Sequence, residues 1–537
     1  MADALALAVI AAVAVIAALT FRDYGLGWDD YTHAEYGDLL LNLFRSGFTD
    51  RRALSFVNLY AYGGGFDLAS ALAAKLLPFD LFDTRRLIGA AVGVIGLVIT
   101  WRLARRVGGS TAGPVAVMLL AACPLYYGNM YMNAKDAPFA VAMAFLTLSL
   151  ARAFEEYPRP SPIVCAMVGG AAGLAFGTRV LGALAGANAL AALAVMFAIE
   201  ARRASMRTAA ANAGQFVVAI APALVLGYAV MALVWPWSVA EPLNPFRAVE
   251  YFSSFFERPW REMFDGVALA VPDMPRSYVP KLFLLQEPEV FLVLGIGGAA
   301  GALVAVMRGE IVPARRAVLA LLAFAAMFPI ALAVAMRPAM YNGIRHFVFV
   351  APAFAALGGL AFVWAADARA WRGAPAMAAL VFLVGVFLPV REMVRLHPYQ
   401  YTHFNVMAGG IRAADDRYML DFWGLAFKQA TQDLRGKLAG AMPPAGRAQW
   451  RIAVCGPERT AKVELGTEFL TSSDAKGADF ALTMGAFYCT RLAAPILVEI
   501  AREGVVYARV YDIRGMTVTS QLSLQDYGEK PPNSVEP

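Results

Sequence analysis

The sequence predicts a polytopic α-helical membrane protein of about eleven spans, followed by a small, water-soluble α/β domain. Three observations predict it. Hydrophobic residues make up 59% of the 537 residues and charged residues only 16%, where a soluble globule is nearer one-quarter charged. Apolar runs long enough to cross hydrocarbon alternate with short Arg-rich knots. After Arg391 the texture changes to that of an ordinary soluble protein.

A crossing helix needs about 20 predominantly apolar residues. Such runs lie near 3–20, 87–104, 112–128, 137–153, 162–178, 180–199, 213–234, 289–307, 316–335, 346–366 and 375–391. The first lacks a basic leading segment and a convincing cleavage site, so it is expected as a permanent span. Two long connections remain. Loop 21–86 contains FDLASALAAKLLPF, too short and interrupted to span and better suited to lie in the interface. Loop 235–288 carries WPWSVAEPLNPF and YFSSFFERPW, a composition suited to the membrane–water boundary. No internal repeat is visible among the spans, which counts against a secondary transporter.

Charge gives the orientation. One set of short loops holds Arg102, Arg105, Arg106, Arg152, Arg159, Arg202, Arg203, Arg207, Arg308, Arg315, Arg316, Arg369 and Arg372; the other holds Lys135, Arg179, Arg337 and Arg345. The first set is therefore expected in the cytoplasm. The amino terminus is then cytoplasmic, and the tail 392–537 periplasmic, in a bacterial inner membrane. In that tail GLAFKQATQDLRGKLAG has helical spacing, while WRIAVCG, DFALTM and VVYARVYDI read as strands. Cys455 and Cys489 would share an oxidising compartment and could pair. Cys123 and Cys165 fall in apolar runs. The formal charge of +6 is dispersed, so no nucleic-acid footprint is expected.

The chemistry is sought among polar residues at span ends on the outer face, where their cost near hydrocarbon needs a reason. WDDYTHAEYGD follows the first span. Its plain reading is a solvated loop with Asp29 or Asp30 capping a short helix. Alternatively the adjacent carboxylates supply a general base and a partner that tunes it, and Asp29 with His33, at i and i+4, is a weak divalent-metal pair. NMYMNAKDAPF opens the fourth span, with Asp136 as an expected N-cap before Pro138 and Lys135 as a solvated lysine beside it. Arg179 sits in the tight turn of GTRV, either reaching to headgroups or pointing into a polar cleft. YNGIRHFVF opens the tenth span. There Tyr341 precedes Arg345 and His346, cations at a helix amino terminus that call for an anionic neighbour, a lipid headgroup or a phosphate-bearing substrate.

Taken together, the order of these motifs resembles the GT-C glycosyltransferases. Carboxylates after span one, KDAPF after span three, TR after span five and YNGIRHF before a late span come closest to the family-39 type of protein O-mannosyltransferases and lipid A aminoarabinose transferases. The likeness covers roughly residues 1–390. HPYQYTHFNVMAGG followed by LDFWGLAFKQA is similar to a bacterial subgroup with an extra carboxy-terminal domain. The resemblance implies a polyprenyl-phosphate sugar donor, a glycan, lipid or protein acceptor, and chemistry at the outer membrane boundary. It implies Asp29 as the essential first member of the acidic pair, although Asp30 departs from the usual Glu. Lys135, Arg179, Arg345 and His346 become candidates around the donor phosphate, with Asp136 and Tyr341 in support. The resemblance fixes no cofactor, and a divalent metal stays open. The competing readings are a transporter or flippase for a lipid-linked anion, a polymerase- or ligase-type membrane glycan enzyme, and a non-enzymatic anchor.

Overall fold

The computed structural model describes residues 1–253, 260–367, 373–518 and 521–524. Arg369, Arg372 and residues 254–259 of YFSSFFERPW, which entered the sequence reading, lie outside the described residues. Among those described, nine helices are long and apolar enough to cross a membrane. One of them, Leu81–Ala121, holds the expected span 87–104 and the first part of 112–128, on either side of a break at Gly109 with φ 80° and ψ −170°, a conformation that glycine alone tolerates readily. The run 162–178 forms the shorter apolar helix Pro162–Thr178.

Several expected boundaries shift for local reasons. The run 112–128 is not one helix. It stops at Ala121, and Cys123, extended ahead of a proline, starts a new helix at Pro124–Met132. The run 213–234 lies within two consecutive helices, Met206–Ile220 and Ala223–Val234, joined at Pro222. Spans expected at 180 and 346 open with tighter 3₁₀ turns, Val180–Ala183 and Arg345–Val350, before the α-helices Leu184–Arg203 and Ala351–Ala366. The apolar stretch of loop 21–86 forms only Gly65–Ala73, with Leu72 and Leu76 exposed.

The two loop sets occupy opposite ends of the bundle. At one end Arg105 donates to Asp3 at 2.8 Å, Arg106 pairs with Glu155, and Arg315 donates to the Val107 carbonyl at 3.1 Å. At the other end the tail is docked: Lys428 reaches the Arg22 carbonyl at 2.6 Å, His397 meets Asp23 at 2.8 Å, and Asn405 donates to the carbonyls of Leu284 and Glu287.

In loop 235–288, β1 (Arg261–Phe264) and β2 (Val267–Ala270) form a hairpin. Its turn residues Asp265 and Gly266 both have positive φ, as a tight hairpin turn requires. Asp265 ties the hairpin to Lys281 and to Arg417 of the tail. The tail strands are β3 (Trp450–Cys455), β4 (Phe469–Ser472), β5 (Phe480–Met484), β6 (Ile496–Arg502) and β7 (Val505–Asp512). They form one mixed sheet, ordered β4-β3-β5-β7-β6. β3 runs parallel to β4 and β5, while β7 is antiparallel to β5 and β6. Helix Phe427–Lys437 and a disulfide between Cys455 and Cys489 complete the domain.

Candidate active site

Asp29 is the N-cap residue of helix Asp30–Arg45. Its side chain stays 45% exposed and lines a cavity of about 360 Å3 beneath the tail, together with Tyr62, Lys135, Glu262, Arg345 and Trp423. Burial pushes the Asp29 carboxyl up, but Lys135, His33 and Arg345 outweigh it and hold the group below the usual carboxylate range. It is ionised at neutral pH.

Asp30 turns the other way. Its two oxygens accept from Arg86 at 2.9 and 2.6 Å, and one also accepts from the Gly27 N–H at 2.7 Å. Arg86 goes on to the carbonyls of Gly25 and Tyr131, so this pair stitches the acidic loop to the second span. His33 likewise turns from Asp29: its Nδ1 lies 2.8 Å from Asp67, whose other oxygen accepts from Arg85 at 2.6 Å. The expected Asp29–His33 metal pair therefore lacks His33 Nδ1. Among the described residues no group of three or more His, Cys, Asp or Glu is placed to hold a metal ion.

Asp136 is not the expected N-cap. The helix begins at Asp136 itself, and the Asn133 side chain accepts from the N–H groups of Lys135 and Asp136 at 2.9 and 2.6 Å. The Asp136 carboxylate accepts from the Asn133 amide at 2.6 Å and from Arg345 at 2.9 Å, and pairs with Arg179. The anion that the cationic start of the tenth span demanded is thus a protein carboxylate. Arg179 is buried, pointing inward rather than to headgroups.

Of the expected phosphate ligands, Lys135 and Arg345 line the cavity, and Tyr341 stands beside them. Lys135 lies 3.4 Å from Asp29 and 4.7 Å above the Tyr62 ring. The Arg345 guanidinium lies 4.9 Å from the Tyr341 ring centre and 5.0 Å from that of Trp423. Arg179, Asp136 and His346 stand outside the cavity lining, with the His346 ring edge-on to Tyr341 at 5.0 Å. The structure adds residues the sequence reading did not name. Glu262 of β1 is buried, accepts from the Asn342 N–H at 2.8 Å and is pushed up by burial to about 7. Burial pushes Tyr62 to about 12. Trp423 and Tyr488 come from the tail. Only Trp423 fell in a quoted motif, LDFWG.

Residues 66–228 match the family described as dolichyl-phosphate-mannose-protein mannosyltransferase. Among solved structures the chain is similar to ArnT from Cupriavidus metallidurans bound to undecaprenyl phosphate, at a TM-score of 0.50 and 16% identity, covering 94% of this chain and 97% of that one. The chain shares the fold of that ArnT. The apo form of the same ArnT gives a TM-score of 0.48 at 16% identity, with coverages of 94% and 97%. An Archaeoglobus fulgidus oligosaccharyltransferase gives 0.48 at 14%, covering 88% of this chain and 65% of that one. Comparison with curated protein sequences gives no match. The cavity lies where the bundle end, the hairpin β1–β2 and the tail meet.

Proposed function

We propose that the protein is an inverting glycosyltransferase, moving a sugar from a polyprenyl-phosphate donor to a hydroxyl of an envelope glycan, lipid or protein at the outer face of the cytoplasmic membrane. One observation carries this reading: a half-exposed, ionised Asp29 shares a single cavity with Lys135 and Arg345. The sharing of undecaprenyl phosphate's fold context with ArnT, a protein solved with that lipid, supports the choice of donor.

The chemistry follows from that arrangement. An acceptor oxygen attacks the anomeric carbon while the bond from that carbon to the phosphate oxygen breaks. The electron pair leaves on the phosphate, and the acceptor proton passes to Asp29. Charge gathers on the phosphate in the transition state, so fixed cations there lower the barrier rather than merely bind. Arg345 suits that task because Asp136, Tyr341 and Trp423 hold its plane in place. Lys135, beside Asp29, adds a second charge on the same wall and keeps the carboxylate ionised.

The test uses full-length protein in lipid nanodiscs with undecaprenyl phosphate carrying radiolabelled glucose, galactose, mannose or arabinose, and bacterial envelope fractions as acceptor. Release of undecaprenyl phosphate from at least one donor, lost in Asp29→Asn, is expected. No release from any of them, or release equal in Asp29→Asn, would overturn the reading.

A further inference from the structure

A second cavity, of about 680 Å3 against about 360 Å3 for the one that holds Asp29, lies in the tail. The two share their dividing wall. Along β1, Glu262 lines the first and Met263 the second, as successive residues of a strand face opposite ways. In LDFWG and the residue before it, Met419 lines both cavities, Asp421 the second and Phe422 the first. After β5, Tyr488 lines the first while Phe487 and Cys489 line the second, and the disulfide to Cys455 anchors that loop to β3.

The second cavity opens to water. Asp416 and Arg491 stand 3.7 Å apart on it with side chains 83% and 79% exposed, and they mark its mouth. β5 and β7 supply the opposite wall, where Thr483 pairs across the strands with Arg509. The accessible charged groups are thus two carboxylates, Asp415 and Asp416, and two guanidiniums, Arg491 and Arg509. Such a wall both accepts and donates hydrogen bonds. Each guanidinium already faces a carboxylate, Arg491 that of Asp416 and Arg509 that of Glu499 at 2.8 Å, so neither is left over for an anionic ligand. Phe487, half-buried, adds a ring face among them.

We infer that this cleft binds the acceptor, and that the acceptor is a neutral sugar chain. The inference rests on the glycosyl-transfer reading and names the acceptor that reading leaves open. Sugar hydroxyls give and take hydrogen bonds, and the C–H faces of the rings lie flat on an aromatic such as Phe487. An extended peptide would add to an unpaired strand edge, and the strands here offer none. β5 and β7 are interior to the sheet, and Phe264 of β1 bridges to Tyr418. Acyl chains have no counterpart at a mouth formed by an exposed ion pair. A sugar chain seated in the cleft crosses the shared wall at Met419, and its reactive hydroxyl meets Asp29 from the water side while the donor comes from the membrane.

The experiment uses the full chain in nanodiscs with the radiolabelled donor lipids above, and bacterial envelope separated into delipidated polysaccharide, protein and lipid. Label should enter the polysaccharide. Ala486→Trp narrows the cleft and Arg491→Ala removes one side of its mouth, at a half-buried and an exposed position. Arg491→Ala should raise the KM for polysaccharide about three- to tenfold, the worth of one hydrogen bond. Ala486→Trp should raise it further. Affinity for bare undecaprenyl phosphate should be kept in both, which shows that each variant is folded. Label in protein or lipid alone, or a KM unchanged in both variants, would overturn the acceptor cleft and leave the transfer reading standing. Loss of lipid affinity in both variants would overturn it too, by making the cleft a structural support of the donor site. Wild type that releases no undecaprenyl phosphate from any donor would overturn the glycosyl-transfer reading, and the cleft with it.

Discussion

Asp30 and Arg86 form a two-point ion pair, both buried, with nitrogen–oxygen distances of 2.9 and 2.6 Å. This relationship separates the two neighbouring aspartates: one is spent on holding the acidic loop, the other is left for the cavity. Removing one partner of such a pair strands a buried charge, at about 3–5 kcal/mol. Asp30→Ala and Arg86→Ala should therefore lower the melting temperature of the purified protein by several degrees. An Asp30→Ala protein that melts as wild type yet fails to turn over would show that Asp30 acts in the chemistry instead.

The phosphate ligands divide in the same way. Arg345 lines the cavity, whereas Arg179 stands behind its wall, paired with Asp136 and 5.9 Å from the Tyr62 ring centre. Arg345→Ala should weaken undecaprenyl phosphate binding by about tenfold or more, the loss of a charge-assisted contact. Arg345→Lys should rescue it only in part, since a point charge cannot reproduce a planar fork. Arg179→Ala should act mainly on stability, by unpairing Asp136. Lipid titrations and melting curves on the same three variants separate these outcomes, and equal affinity loss in Arg179→Ala and Arg345→Ala would place both on the phosphate.

Glu262 makes stability depend on pH. Its carboxyl is raised in the folded protein to about 7 from an ordinary 4.5. Between those values the folded state keeps a proton that the unfolded chain has released. Stability from this group is therefore greatest at the acidic end, falls as pH rises through about 7, and is flat above. The full effect is on the order of 3 kcal/mol. Melting temperature should drop more between pH 5 and 8 in wild type than in Glu262→Gln. Parallel curves for the two proteins would remove Glu262 as the cause.

Much of this was legible in the sequence, for reasons particular residues make plain. The apolar helices follow from hydropathy, which is local, and three tail strands follow from alternation. Asp29, Lys135 and Arg345 could be named because they sit at span ends, and the structure gathers them in one cavity. The pairings could not be read. Nothing near His33 announces Asp67, 34 residues on, and nothing near Arg345 announces Asp136, 209 residues back. Asp136 followed by Pro138 imitates a cap, but Asn133, three residues earlier, takes that work. Glu262 and Trp423 were invisible as site residues because each reaches the cavity from a different folded unit.

The topology is a separate expectation. The end of the bundle that carries the tail should face the periplasm, opposite the Arg-rich end. Lys476 is exposed in the tail and Arg308 is exposed at the other end. In intact spheroplasts a membrane-impermeant maleimide should label Lys476→Cys and spare Arg308→Cys until the membrane is broken. The reverse pattern would invert the orientation and place the cavity on the cytoplasmic side.

The sharpest prediction concerns Asp29. It is the one carboxylate of the acidic pair that is both exposed to the cavity and held ionised, while its neighbour is locked to Arg86. A general base contributes about 10²–10⁴-fold to rate, so Asp29→Asn should reduce turnover at saturating donor by about that factor. Asparagine keeps the shape and one acceptor oxygen. Its contact with Lys135, at 3.4 Å in the parent, loses charge but not position. Melting temperature should therefore stay close to wild type. Donor affinity should hold or rise slightly, because Lys135 is released from a competing carboxylate toward the phosphate. Turnover, donor titration and melting curve together make the base assignment vulnerable. A fully active Asp29→Asn protein would refute it, and an inactive one that also fails to fold or bind lipid would show a structural role in its place.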